Sequence, residues 1–359
     1  MKTKLSAIGR IPLNAGLLSS LILLIASIVL STLSFAQPNW QWAKSAGGIL
    51  YDGANSVAAD SSGNIYVAGV FESASITFGT TTLNNSSTDT TDMFLVKYDA
   101  GGNVLWATSA GGTDFDDAAS VAADLSGNIF VTGSFSGASI TFGSTTLTNT
   151  GANADMYIVK YDAGGNVLWA KSAGGNYEDK ATCVATDISG NIIVTGYYQA
   201  APITFDSYTL SNSGSYDMFI VKYDASGNAL WANRAGGSND DRGYSVTADA
   251  SGNVIVAGAF LSSSITIGTT TLNYAGGAYT DIFIVKYDAS GNALWANSAG
   301  GTYWDEPNSV TTDASGNIFM AGIVYSSSIT FGSTTLTNSG SSFYCEMFIV
   351  KYDVSGNVQ

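Results

Sequence analysis

The sequence predicts an all-β chain built of five tandem units, and three observations carry that expectation. The first is self-similarity: Lys-Tyr-Asp begins at residues 97, 160, 222, 286 and 351, a period of 62 to 65 residues. Lys222 to Asn233 recurs letter for letter at Lys286 to Asn297, and Trp106, Trp169, Trp231 and Trp295 follow in phase, with Trp42 ahead of them. The second is punctuation, since ten Asp-x-Ser-Gly-Asn or Asp-x-Gly-Gly-Asn turns fall two to a unit, at Asp60 and Asp99 in the first. The third is alternation: each turn separates short segments in which apolar and small or polar residues alternate, the period of a β-strand.

Taken in order, each unit opens on a segment such as Ser56 to Ala59, turns at Asp60, and returns along Asn64 to Phe71. A second pair, Met93 to Tyr98 and Asn103 to Ala110, flanks the turn at Asp99. The Gly of each turn suits the left-handed position of a type I turn with a G1 bulge, where a Cβ would cost roughly 1 kcal/mol. The Asp supports the turn by accepting hydrogen bonds from amides two residues on. Ser73 to Asn85 reads as a further short hairpin inserted between the second and third main strands. Four main strands per unit, repeated five times without helix signals, is the pattern of a β-propeller with one blade per repeat. A β-solenoid is the alternative, but its coils are shorter and rarely hold two hairpins each.

Trp106 to Phe135, WATSAGGTDFDDAASVAADLSGNIFVTGSF, followed by MYIVKYD at Met156 to Asp162, resembles the bacterial SBBP β-propeller repeat. That unit runs as Trp, Gly-Gly, Asp, an apolar strand, Asp-x-x-Gly-Asn, a strand ending in Gly, and Phe-x-x-Lys. The resemblance extends over residues 40 to 359. It implies the propeller fold and an exported or surface-attached protein, and it implies no particular activity.

The N-terminus fits export. Lys2, Lys4 and Arg10 precede an apolar run from Leu17 to Leu33, and Ser34-Phe35-Ala36 offers small residues at the cleavage positions. Residues 1–36 are therefore expected to be a signal peptide and residues 37–359 the propeller domain. An uncleaved anchor is the competing reading, because the run approaches the length that spans a bilayer. No membrane span is expected after cleavage. At the other end the chain stops at Gly356-Asn357-Val358-Gln359, where the repeat next places its Trp. Either more sequence follows, or Asn39 to Trp42 supplies the fourth strand of the last blade and closes the ring.

Composition narrows the partners. With Lys2, Lys4 and Arg10 set aside, 10 of the 13 Lys and Arg residues stand against 28 Asp and Glu. Nucleic acid, which needs a basic face, is excluded as an expected partner. A glycan or an extracellular protein is the expected ligand class, with no cofactor. Cys183 and Cys345 lie in different positions of the repeat and read as two free, buried residues rather than a disulfide.

Propeller geometry places all ten short turns on one face and the blade-to-blade links on the other, where a binding site has room. On that second face one carboxylate recurs ten residues after every Trp: Asp52, Asp116, Asp179, Asp241 and Asp305. Beside it stand Tyr51, Phe115, Tyr177, Tyr303 and Trp304, so this candidate ring combines carboxylates with aromatic faces suited to sugar hydroxyls and ring carbons. The competing structural role is that Asp caps loop amides while the aromatics fill gaps between blades. The recurring Lys97, Lys160, Lys222, Lys286 and Lys351 read as surface ion pairing, and the Trp set as core between blades. No metal site is expected, since the turns lack the further carboxylates a calcium loop needs.

No enzyme is expected either. The chain has no His, which removes the commonest general base and all His-based triads. A propeller glycoside hydrolase would need two unlike carboxylates, and Glu72, Asp89, Asp114, Asp206 and Glu306 break the repeat without marking a pair. The expectation is a binding, adhesion or scaffold module with several equivalent weak sites; a purely structural envelope or matrix protein fits the same residues.

Overall fold

The computed structural model describes residues 41–277, 279–340 and 344–359, and every regular element in them is a β-strand. The expected signal peptide at 1–36 lies outside the described residues. The account below concerns the compact unit Lys44–Gln359.

Each repeat folds as one antiparallel sheet with a small hairpin inserted before its third main strand. In the first blade β1 (Asp52–Ala59), β2 (Ile65–Phe71), β5 (Asp92–Tyr98) and β6 (Val104–Ala110) pair in that order, with β3 (Ser75–Phe78) and β4 (Thr81–Asn84) as the insert. The second comprises β7 (Asp116–Ala123), β8 (Ile129–Phe135), the insert β9–β10 (Ser139–Phe142, Thr145–Thr148), β11 (Asp155–Tyr161) and β12 (Val167–Ala173). The third has β13 (Asp179–Thr186), β14 (Ile192–Gln199), β15–β16 (Ile203–Phe205, Tyr208–Leu210), β17 (Tyr216–Tyr223) and β18 (Ala229–Ala235). The fourth has β19 (Asp241–Ala248), β20 (Val254–Phe260), β21–β22 (Ser264–Ile267, Thr270–Asn273), β23 (Asp281–Tyr287) and β24 (Ala293–Ala299). The fifth has β25 (Asp305–Thr312), β26 (Ile318–Val324), β27–β28 (Ser328–Phe331, Thr334–Thr337) and β29 (Glu346–Tyr352). Inner strands β1, β7, β13, β19 and β25 lie side by side in sequence, so the blades fan out as in a propeller.

The turns form as the sequence predicts. The Asp60 carbonyl accepts from Gly63, whose φ is 81°, and Asp60 Oδ1 accepts from the amides of Ser62 and Asn64, both at 2.9 Å. The same pattern recurs at Asp124, Asp187, Asp249 and Asp313, and every inner strand carries a one-residue bulge ahead of its turn, between Ala54 and Ser56 in the first.

Stability resides between blades. Met93 and Leu95 of the first blade share one buried cluster with Val121 of the second, and Met156 and Ile158 pack likewise with Val184. Met218 and Ile220 meet Val246, and Ile282 and Ile284 meet Val310. A polar clasp accompanies each apolar one. Lys97 Nζ and Trp106 Nε1 both donate to the Ala163 carbonyl in the next blade's outer turn, at 3.0 and 3.1 Å. Lys160 and Trp169 treat Ala225 in the same way, Lys222 and Trp231 treat Ala289, and Lys286 and Trp295 treat Val354.

Two expectations are corrected here. Lys97, Lys160, Lys222 and Lys286 are buried rather than surface residues, and Lys222 and Lys286 form buried ion pairs with Asp187 and Asp249 at 2.9 Å. Alternation with apolar neighbours implies exposure only when one face of a sheet is wet, and the inner blades are covered on both. Cys345 is exposed and Cys183 half-buried rather than both being buried, and both are free. The fifth blade is three-stranded, with β29 at its edge. Of the segment expected to complete it, Asn39 and Trp40 lie outside the described residues, and Gln41 and Trp42 belong to no strand.

Candidate functional site

The loop face opposite the ten turns is built by the Ala-Gly-Gly stretch that ends each outer strand and by the Asp that opens the next inner strand. Gly112 N donates to Asp116 Oδ2 at 2.6 Å, Gly175 N to Asp179 and Gly237 N to Asp241 at 2.7 Å, and Gly48 N to Asp52 at 2.6 Å. Ser262 Oγ adds a bond to Asp241 at 2.6 Å, and Ser326 Oγ one to Asp305 at 2.7 Å. Asp116, Asp179, Asp241 and Asp305 are buried, while Asp52 is half-buried. In this arrangement the carboxylates cap loop amides, which is what a backbone bend with unpaired N–H groups requires.

A second carboxylate set, which sequence reasoning missed, completes each link. Asp92, Asp155 and Asp281 open the third main strand of their blades and Asp217 is second in its own, and each accepts from a loop amide, Ser86 N at 2.8 Å in the first. Their carboxylates lie against the first Gly of the Gly-Gly pair so closely that a Cβ on Gly111 would stand 2.0 Å from Asp92 Oδ1. The recurring Gly-Gly therefore has two distinct uses, one position for close approach and the next for an amide donor. Its signal was an Asp four residues ahead of each Val-Lys-Tyr, replaced by Glu346 in the last blade.

Burial dominates the electrostatics here. Desolvation pushes Asp116 up to about 8 and Asp179 up to about 7, and raises Asp217 and Asp281 to about 6 against the Arg234 and amide contacts that oppose it. The neighbouring carboxylate of each link, Asp92 beside Asp116 and Asp155 beside Asp179, works in the same direction.

The aromatic members of the predicted ring behave differently. Tyr51, Phe115, Tyr177 and Trp304 are 63%, 55%, 45% and 47% exposed at nearly equivalent loop positions in four blades. Tyr303 is half-buried and stacks on Tyr279, centroids 5.3 Å apart, and the Trp304 ring lies 4.2 Å from Tyr279 at a tilt of 50°. The structure thus gathers the ring residues on one face but divides them, with buried carboxylates beneath and solvent-facing aromatics above.

Where the repeat is least regular, charged side chains collect. Lys180 and Arg242, second residues of β13 and β19, pair with Glu178 at 2.8 Å and Asp240 at 3.2 Å. The Arg242 guanidinium lies over Tyr216 and Tyr197, 4.3 and 4.7 Å from the ring centroids, and Tyr216 donates to Glu178 at 3.0 Å. Burial opposes the charged form of Glu178, but the Lys180 ammonium and the Tyr216 hydroxyl hold its carboxyl below the usual range. The sequence signal was the residue after each ring Asp, which changes from Gly53 to Asp117, Lys180, Arg242 and Glu306. Of the irregular carboxylates, Asp206 pairs with Lys171 at 2.8 Å and Glu306 accepts from Thr280 at 3.4 Å. Among the described residues no three Asp, Glu or Cys side chains cluster as metal ligands, and no helix is long and apolar enough to cross a membrane.

Residues 41–70 match the family model described as the SBBP β-propeller repeat. That stretch carries the repeat. An uncharacterized WD repeat-containing protein of Acanthamoeba polyphaga mimivirus is 30% identical over 206 residues, 49% of this chain and 15% of that protein. The regulatory protein FlaEY of Caulobacter vibrioides is 29% identical over 156 residues, 42% of this chain and 16% of its own length. The chain spans about one sixth of the length of each of these relatives. Among solved structures, the Pan2 WD40 domain of Neurospora crassa aligns with 85% of this chain and 64% of its own at 9% identity and a TM-score of 0.43. A Bacteroides caccae protein of unknown function aligns with 85% of this chain and 79% of its own at 12% identity and a TM-score of 0.40.

Proposed function

We propose that this SBBP-repeat propeller is a non-catalytic binding or scaffold module, exported to the surface or surroundings of a bacterial cell, that holds glycans through repeated weak contacts on its loop face. The observation that carries the reading is the set of four solvent-facing aromatics, Tyr51, Phe115, Tyr177 and Trp304, one or two residues ahead of the link carboxylates. An aromatic face packs on the apolar side of a sugar ring, and linked sites convert weak contacts into avidity. Export rests on the leader-like residues 1–36 and on a surface dominated by uncharged polar residues, with 11% charged side chains overall. The non-catalytic reading rests on the lack of His and on the engagement of each link carboxylate in holding a loop.

The test is a glycan and polysaccharide array probed with three proteins: the wild type, an alanine variant at Tyr51, Phe115, Tyr177 and Trp304, and an Asp52→Asn, Asp241→Asn variant. Loss of binding in the aromatic variant with an unchanged fold supports the reading. Loss confined to the carboxylate variant moves the site beneath the loops, and absence of binding by a folded wild type removes glycans as the ligand.

A further inference from the structure

A cleft recurs where the outer strand of one blade meets the inserted hairpin of the next. β18 of the third blade lies against β21 of the fourth, and β24 of the fourth against β27 of the fifth. At the first of these junctions an open cleft of 370 Å³ is lined by Asn233, Arg234, Gly268, Thr269, Tyr287 and Asn292. At the second, a cleft of 520 Å³ is lined by the equivalent Asn297, Ser298, Gly332, Ser333, Tyr352 and Asn357.

The walls are polar but hold no unopposed charge. Asn233 Nδ2 donates to the Gly291 carbonyl at 2.7 Å and Asn297 Nδ2 to that of Gly356 at 2.9 Å, which fixes each amide and leaves its Oδ1 as an acceptor. The Arg234 guanidinium is paired with Asp217 at 2.8 Å. Tyr287, the Tyr of Lys-Tyr-Asp, is 2% exposed with its ring beside Trp231, and its hydroxyl has no hydrogen-bond partner among the described residues. A buried hydroxyl is costly to leave unpaired, and an oxygen seated in the cleft that Tyr287 lines would pair it.

The junction before these two shows what the space accepts. There Lys171 stands in the place of Asn233 and Asp206 in the place of Gly268, and the two side chains pair at 2.8 Å. Asp206 has a φ of 53°, a left-handed conformation that Gly268 and Gly332 adopt at 59° and 60° without a Cβ. Its carboxylate also accepts from the Ala229 amide at 2.7 Å, and Ala293, the equivalent of Ala229, lines the open cleft of the fourth blade. In the third blade, then, the protein's own oxygens fill the space that Gly268 and Gly332 leave clear.

We propose that the clefts at the third–fourth and fourth–fifth junctions each bind one neutral sugar residue, and that the Lys171–Asp206 pair closes the same site one junction earlier. A sugar hydroxyl both donates to an Asn Oδ1 and accepts from a Tyr hydroxyl, whereas an anion or a cation would meet no unopposed partner here. These sites are separate from the loop-face aromatics and do not depend on them.

The experiment is hydrogen exchange read by mass spectrometry on the full chain, with methyl glucoside, methyl galactoside and N-acetylglucosamine at millimolar concentration as probes. At least one sugar is expected to slow exchange in residues 264–273 and 328–337, the inserted hairpins of the two clefts. Asn233→Lys/Gly268→Asp transplants the ion pair and is expected to abolish the effect at 264–273 while preserving it at 328–337. Lys171→Asn/Asp206→Gly is expected to create it at 203–210. Tyr287→Phe is expected to weaken binding at the first cleft about fivefold without lowering the unfolding temperature, so it tests the site even where a transplanted pair prevents folding. No slowing at either hairpin with any of the three sugars overturns the proposal. So does slowing that survives the transplanted pair in a folded protein and is unchanged by Tyr287→Phe. An alanine variant at Tyr51, Phe115, Tyr177 and Trp304 is expected to keep the protection; loss there would assign the sugars to the loop face and overturn the rim sites.

Discussion

Val121 and Val57 stand at the same place in consecutive repeats, yet one is sealed between blades and the other faces water. The inner junctions and the two array ends are made of nearly the same residues, and they differ only in whether a neighbouring blade is present. Each inner junction adds an apolar seal of the Met156, Ile158 and Val184 type to a polar clasp in which Lys and Trp share one carbonyl. At the first and fifth blades Val57, Met347 and Ile349 of the same positions are exposed among the described residues. The comparison teaches that the interface between blades, rather than the single blade, is the unit of stability in this fold, as expected where each repeat cannot bury both of its faces alone.

The sharpest way to break the comparison is at the lysines. Lys222→Ala leaves Asp187 buried without its partner and is expected to cost ~3–5 kcal/mol in chemical denaturation, whereas Lys351→Ala in the last blade is expected to cost under about 1 kcal/mol. Similar losses at both positions would mean that the fifth blade is covered in solution.

A smaller effect separates backbone strain from packing. Gly190 and Gly291 have φ values of 78° and 88°, but an added Cβ meets nothing within 4 Å at Gly190 and lies 2.7 Å from the Trp231 ring at Gly291. Both alanine variants are expected to incur the left-handed penalty of ~1–2 kcal/mol, and Gly291→Ala an additional ~1–3 kcal/mol for displacing the Trp. Equal unfolding temperatures for the two would show that the Trp clasp contributes little.

The gentlest probe is pH. Burial raises Asp116 and Asp179 to about 8 and about 7 in the folded state, so their contribution is complete below the ordinary carboxylate value of 3.8 and is lost as pH rises through the neutral range. Asp60 and Asp187 run the other way. Burial opposes their charged forms, but the turn hydrogen bonds, with Lys222 beside Asp187, hold them below 3.8, so their contribution is lost as pH falls through the acid range. Thermal unfolding followed by circular dichroism is expected to peak at mildly acidic pH, and Asp116→Asn to flatten the alkaline side. A plateau extending unchanged through neutral pH in the wild type would contradict the buried-carboxylate assignment.

The legibility of these features in the sequence varied with their range. The ten turns and the strands beside them were readable because Gly63 and its counterparts answer to local backbone sterics, which act over five residues. The recurring Asp at 52, 116, 179, 241 and 305 was readable as a set, while its burial was not. That depends on the Gly-Gly link and on Asp92-type carboxylates more than twenty residues away. The lysines misled because alternation reports which side of a strand a residue occupies and says nothing about what covers that side. The Glu178, Lys180, Tyr216 and Arg242 cluster left only the changing residue after each ring Asp as a signal, because its members come from two repeats and meet only in the folded chain.

By itself the sequence determined the repeat, its length, the hairpins and the propeller class, since self-similarity and turn chemistry are short-range properties. Tertiary structure alone decided that Val121 is core and Val57 is surface, that Lys222 is buried, and that the ring carboxylates lie beneath the aromatics. Those outcomes depend on which blade lies next to which, and burial is a property of the neighbour as much as of the residue.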